Sequence, residues 1–153
     1  MKIAEILTPD MILPDLKSVD KPGVLRELAD HLSSRIPSLR LQSLVDVLAE
    51  RESLGSTAIG DGIAIPHGKL RGVDRILGLV GRSLGGVDFD SLDGNPTHIF
   101  FLLIAPEDSA SLHLKALARV SRLFKDPNLR DHLLKAVDAA DIFRLIQDED
   151  SRY

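Results

Sequence analysis

The chain contains no cysteine, which excludes disulfides, thiolate zinc sites and cysteine nucleophiles and suits a reducing cytoplasm. Aromatic residues are scarce, 4% against 44% apolar residues in all. The core must therefore be aliphatic, built from Leu, Ile, Val and Ala. Basic charge is not in excess: 19 Lys and Arg face 23 Asp and Glu, for a net charge of −4. Such a balance keeps a globular protein in solution and provides no basic face for nucleic acid. The N-terminus MKIAEILTPDM lacks the apolar stretch and the small-residue cleavage site of a signal peptide. The apolar run Ile99–Ala105 is too short to span a bilayer and reads as a buried strand. A soluble cytoplasmic protein without membrane insertion is expected. Several catalytic signatures are also missing. There is no GxxxxGK[ST] phosphate loop, no GxSxG elbow, and no HxxxH or HxxE pair near His67. These absences argue against nucleotide-dependent transfer, a serine hydrolase and a metal centre. Neither a cofactor nor a metal is expected.

What is present fits one compact domain over residues 1–153, with no internal repeat and no linker. A short extended piece is expected within Met11–Leu16, broken by Pro14. Asp20 followed by Pro22 signals a helix start, and Val24, Leu25, Leu28, Ala29 and Leu32 continue at helical spacing to about Arg35. Ser38 is placed to cap a second helix whose stripe is Leu41, Leu44, Val45, Leu48 and Ala49, ending near 51–54. Residues 55–62 read as a glycine-rich loop and 63–65 as a short strand stopped by Pro66. Strands are expected at 75–82 and at 97–105, the latter apolar on both faces and hence central, with 87–94 as a turn. The last third reads as three helices. One is capped by Ser109 or Ser111, with Leu112, Ala116, Leu117, Val120, Leu123 and Phe124 on its stripe. The second covers about 128–136, and the third follows Asp138 with Ile142, Leu145 and Ile146 inward. Helices before and after a strand block predict an α/β sandwich, and strand connections too irregular for simple βαβ winding predict a mixed sheet.

Five histidines are the groups to sort. His67 stands between Pro66 and Gly68. The proline fixes the backbone approach, and the glycine is expected to leave space beside the imidazole and let the chain turn with free N–H groups. A rigid, uncrowded imidazole at a strand end suits a nucleophile, although a loop histidine bonded to a backbone carbonyl is the plainer reading. His113, in the first turn of its helix and bordering the apolar face, reads either as a partly buried packing residue or as a second site histidine. The latter requires the start of its helix to face His67, where helix N–H groups favour an anion. Arg51 ends the second helix and presents a fork of donors suited to a phosphoryl group; taken alone it is a solvated helix-end residue. Ser56 and Thr57 add hydroxyl donors. His31, His98 and His132 read as structural or surface residues.

The run Arg51–Leu70, with Gly55-Ser56-Thr57 and Ile65-Pro66-His67-Gly68-Lys69, resembles the signature of the fructose/mannitol-type enzyme IIA domains of the bacterial phosphotransferase system. Leu112–Leu117 resembles that family's second histidine region, and the likeness extends along nearly the whole chain. Within the family it is most similar to the nitrogen-regulatory branch. The resemblance implies a three-layer α/β/α sandwich with a small mixed sheet, and a phosphocarrier rather than an enzyme acting on a small molecule. His67 would be phosphorylated on Nε2, as a tele-phosphohistidine, and His113 and Arg51 would line its pocket, with Ser56 and Thr57 as further donors to the phosphoryl group. It also implies a phosphorylated HPr-like donor (NPr in this branch), and as regulatory targets sensor kinases or potassium-transport proteins. Ala58 departs from the pattern, since many relatives carry glycine there, and its methyl is expected to crowd the loop or to oppose a positive φ. A free-standing IIA domain points to the regulatory branch. A sugar-specific IIA passing phosphate to a separate IIB protein is the alternative, and a binding module that has lost phosphorylation is a third reading, against which the presence of both histidines weighs. The chemistry implied is in-line transfer between histidines of two proteins. Neutral His67 attacks through one nitrogen while the other, an N–H, is held by a backbone carbonyl or similar acceptor.

Overall fold

In a computed structural model, residues 1–152 are described. The strongest sequence signal becomes the centre of the molecule. Strand β6 (Thr97–Pro106) sends Ile99, Phe101, Leu103 and Ala105 into one apolar cluster, and Phe100, Leu102 and Ile104 into another. Strict alternation with both faces buried is what a strand covered on two sides requires. Each fully buried side chain of this kind contributes about 1.5–3 kcal/mol by leaving water.

Around β6 the described residues form a mixed sheet with β1 (Ile12–Leu13), β2 (Ala58–Gly60), β3 (Ile63–Ala64), β4 (His67–Leu70) and β5 (Leu77–Val87). β5 runs antiparallel to β6 on one edge, and β1 lies parallel to β5 beyond it. The other edge of β6 is shared. Its first half pairs in parallel with β3 (Ile63↔Ile99) and its second half with β4 (His67↔Leu103). Ile65 and Pro66 separate the two. Proline has no N–H for the ladder, but its carbonyl accepts from Leu103 N at 3.0 Å, so the chain stays on the sheet. β2 completes the far side, antiparallel to β3.

Helices α1 (Lys21–Arg35) and α2 (Leu41–Ser53) cover one face. The other is covered by α3 (Ala110–Leu123), α4 (Pro127–Lys135) and α5 (Ala139–Asp150). This is the expected three-layer α/β/α arrangement. The caps on Asp20, Asp126 and Asp138 are made by side-chain oxygens accepting from Gly23, Asn128 and Asp141 N–H, as short-range rules predict.

Non-local pairing changes several local expectations. Ser38 does not cap α2: the helix begins at Leu41 after Arg40, with no side-chain cap. Ser109 precedes α3, but its hydroxyl donates to Pro106 O and accepts from no helix N–H. Part of the glycine-rich loop is strand β2, β5 runs on through Val87, and β4 is a strand that no local signal announced. Leu112 is exposed rather than inward, as is Ala49, whereas Val47 turns toward β4. The Ala58 methyl is fully buried among the residues under α1 and α2, and its φ is not positive, so it fills the core instead of straining a loop. No helix among the described residues is long and apolar enough to cross a membrane.

Candidate functional site

β6 also fixes the site. Its register places His67 opposite Leu103, and ten residues after Leu103 the same chain reaches His113 in the first turn of α3. The two imidazole rings lie with centroids 5.3 Å apart, tilted by 50°. Beside them, the last turn of α2 supplies Arg51.

His67 is half-buried, and both of its nitrogens are engaged. Nδ1 lies 2.8 Å from Ile65 O, and Arg51 Nε donates to Nε2 at 3.3 Å. A carbonyl only accepts and a guanidinium only donates. The ring is therefore neutral, with its proton on Nδ1 and a lone pair on Nε2. Burial lowers its pKa first; the Ile65 bond raises it, Arg51 lowers it again and Glu52 raises it. The neutral form holds at physiological pH.

His113 is buried, 6% exposed, and its Nδ1 has no hydrogen-bond partner. A proton on that nitrogen would be wasted, so Nε2 carries the N–H. Burial, with the neighbouring His67 and Lys69 adding to it, pushes its pKa down to about 4. His113 is thus a neutral donor beside His67. Its own backbone N–H is already used in α3, donating to Ser109 O at 2.9 Å.

Arg51 is braced by one carbonyl, Nη1 donating to Gly55 O at 2.9 Å. Among the described residues its other N–H groups meet no acceptor, so the guanidinium retains donors for an anion. Gly68 has a different reason from the open space expected. It is buried in β4, and a Cβ there would lie 2.3 Å from Val47 Cγ1, so α2 packs directly on the strand that carries His67. Ser56 and Thr57 lie in the loop beside Arg51 with their hydroxyl protons already placed. Ser56 Oγ donates to Phe89 O at 2.6 Å, and Thr57 Oγ1 donates to Glu52. Glu52, which sequence reasoning gave no role, is buried behind this loop. A signal was available, since an acid in the last turn of a helix opposes the dipole and needs a specific partner.

The other histidines lie apart from this group. His31 Nε2 meets Asp10 O at 2.7 Å, His98 Nδ1 meets Ser83 O at 2.9 Å, and His132 lines a surface cavity between α4 and α5. Among the described residues, no group of three or more His, Asp or Glu is arranged to hold a metal ion.

A half-buried neutral imidazole, a second imidazole and an arginine with spare donors make a site for receiving an anionic group on nitrogen. Residues 5–149 match the family described as phosphoenolpyruvate-dependent sugar phosphotransferase system, EIIA 2, and the chain belongs to that family. Among its relatives is a nitrogen regulatory protein of Bradyrhizobium diazoefficiens, 41% identical over 146 residues and 95% of each chain. The crystal structure of nitrogen regulatory protein IIA-Ntr from Neisseria meningitidis superposes with a TM-score of 0.88 at 33% identity, covering 94% of this chain and 98% of that one. The sugar-transport side is represented as well. The fructose-specific EIIABC component of Bacillus subtilis is 38% identical over 150 residues, which are 98% of this chain and 24% of that protein.

Proposed function

We propose that this protein is a cytoplasmic phosphocarrier of the nitrogen-regulatory kind, comprising a single domain, that accepts a phosphoryl group on His67 Nε2 and signals by the resulting charge. The observation that carries the reading is the fixed tautomer. The Ile65 carbonyl holds the Nδ1 proton and leaves the Nε2 lone pair on the side of Arg51 and His113. A phosphorylated HPr-like protein (NPr) is the donor. The new bond joins phosphorus to His67 Nε2 as the bond from phosphorus to the donor's histidine nitrogen breaks in line, and the donor leaves with that electron pair. No proton need move on His67. Arg51 must shift from Nε2 onto a phosphoryl oxygen as the group arrives, and the His113 N–H donates to another. Ser56 and Thr57 support the site by holding their loop, and their backbone N–H groups and hydroxyl oxygens take part only through it. Positioning and charge stabilisation do most of the work in such transfers.

Phosphorylation adds about two negative charges at this surface. Exposed apolar residues near the site, Leu54, Leu112 and Leu114, offer contact area to a protein partner. Regulatory targets such as sensor kinases or potassium-transport proteins would then distinguish the two charge states. Incubation with phosphorylated HPr and NPr, followed by mapping of acid-labile phosphate, tests the reading: label on His67 is expected, and label elsewhere defeats it.

The likeness to the fructose-specific EIIABC component favours one alternative, a relay that passes the phosphoryl group to a separate IIB protein. Transfer from the labelled protein to a fructose-type IIB decides between them.

A further inference from the structure

A buried carboxylate that the transfer step does not use holds the site's loop in place. Glu52 follows Arg51 in the last turn of α2, with its side chain 5% exposed. Its Oε1 accepts from Thr57 N–H at 3.1 Å and from Lys21 Nζ at 3.0 Å, while Oε2 accepts from the Thr57 hydroxyl. A buried carboxylate at the negative end of a helix is tolerated only with such partners. These bonds tie residue 52 to residue 57 and so fix the course of the chain between them. Gly55 lies inside that ring with φ 149, and its carbonyl receives Arg51 Nη1. Arg51 Nε in turn reaches His67 Nε2.

We propose that Glu52 is a positioning residue for phosphoryl transfer: by clamping Thr57 it fixes the Gly55 carbonyl, which aims the Arg51 guanidinium at His67 Nε2. The inference rests on the reading of His67 as phosphoryl acceptor. Glu52 makes no bond to phosphorus and acts through Arg51. It also acts through charge. Beside the His67 ring stand Arg51 and Glu52 from α2 and His113 from α3, with Lys69 of β4 near His113. Of these, Glu52 is the group that favours the imidazolium, against Arg51 and burial.

The test compares wild type, Glu52→Gln, Thr57→Val and Thr57→Ser. Glutamine keeps the shape but loses the charge and turns one acceptor into a donor, so both Thr57 donors cannot be met. Transfer from a phosphorylated HPr-like donor should show kcat lower by about tenfold in Glu52→Gln, with KM for the donor little changed. Thr57→Val should lose a few-fold, and Thr57→Ser should match wild type. In an NMR titration of the His67 ring, which needs no donor, Glu52→Gln should move the midpoint to lower pH, and the acid limb of the rate profile should move with it. A wild-type kcat with an unmoved titration overturns the inference, and so does a change confined to KM, which would make Glu52 part of the donor's docking face. Should Glu52→Gln fail to fold, Thr57→Val decides by the same kcat and KM split, because it leaves the Glu52–Lys21 pair intact. Wild-type protein left unlabelled by every donor overturns the reading of His67 itself, and the titration tells that failure from this one.

Discussion

Among the described residues, two places combine an arginine with a histidine whose Nδ1 meets a backbone carbonyl, and one of them leaves donors free for a ligand. At the first, His67 Nδ1 lies 2.8 Å from Ile65 O, with Arg51 on Nε2. At the second, His98 Nδ1 lies 2.9 Å from Ser83 O, and Arg82 of β5 is the register partner of the next residue, Ile99. The histidine locks are nearly the same; the arginines differ. Arg82 is 3% exposed, and its guanidinium serves three carbonyls, those of Pro14, Leu133 and Ala136. It caps the end of α4 and ties it to the sheet. The His98 ring lies against Gly86 and Gly62, where a Cβ would come within 2.9 Å and 3.6 Å of it. A fixed tautomer is therefore common architecture. Chemistry requires that the opposite nitrogen face unspent donors instead of packed backbone.

The largest expected difference concerns the two histidines. His67→Ala should abolish acid-labile labelling by a phosphorylated HPr-like donor, whereas His98→Ala should keep it; label retained in the first variant would move the acceptor elsewhere. The arginines come next, with opposite readouts. Arg82→Met strands buried carbonyls and should cost about 3 kcal/mol, a fall in Tm of roughly 10 °C, with normal transfer per folded molecule. Arg51→Met should leave Tm within about 2 °C and slow transfer about 100-fold. Thermal unfolding beside single-turnover transfer separates the two, and equal losses of stability would erase the contrast.

A pH effect of moderate size sharpens it further. Above the ordinary imidazole value of 6.5, His113 is neutral in the folded and the unfolded chain. Between 6.5 and about 4 only the unfolded chain takes up the proton, so stability falls as pH falls through that window. The loss attributable to His113 should be on the order of 2 kcal/mol, and it should shrink in His113→Gln when urea unfolding is followed from pH 7 to pH 4. The smallest effect concerns packing under the site. Gly68→Ala should cost about 1–2 kcal/mol and slow transfer several-fold, because its methyl meets Val47; Val47→Ala in the same chain should restore part of both.

What could be read from the sequence follows the range of the forces involved. Asp20, Pro22, Asp126 and Asp138 act within one helical turn, and the helices they begin were legible, as was β6 from its unbroken apolar run. β2 and β4 owe their existence to partners far along the chain, and nothing in Ala58–Gly60 or His67–Leu70 announces a strand. Ser38 satisfied a capping rule that Arg40 and the chain's actual path overrode. The grouping of Arg51, His67 and His113 came from resemblance, since each residue taken alone read as structural. Val47 gives no signal in the sequence, because its role exists only where α2 packs on β4; Glu52 stands out as an acid in a helix's last turn, but its partner Thr57 is set by the path of the loop.

Both histidines of the site are gauged from β6, one by sitting beside Leu103 and the other by following it along the chain. Their spacing is thus set by a single ruler in the middle of the molecule. The outer faces of α1, α4 and α5 lie off that ruler. Those surfaces are free to acquire new neighbours through substitution while the distance between the rings is preserved, so the phosphorylation proposed for His67 can be attached to many listeners.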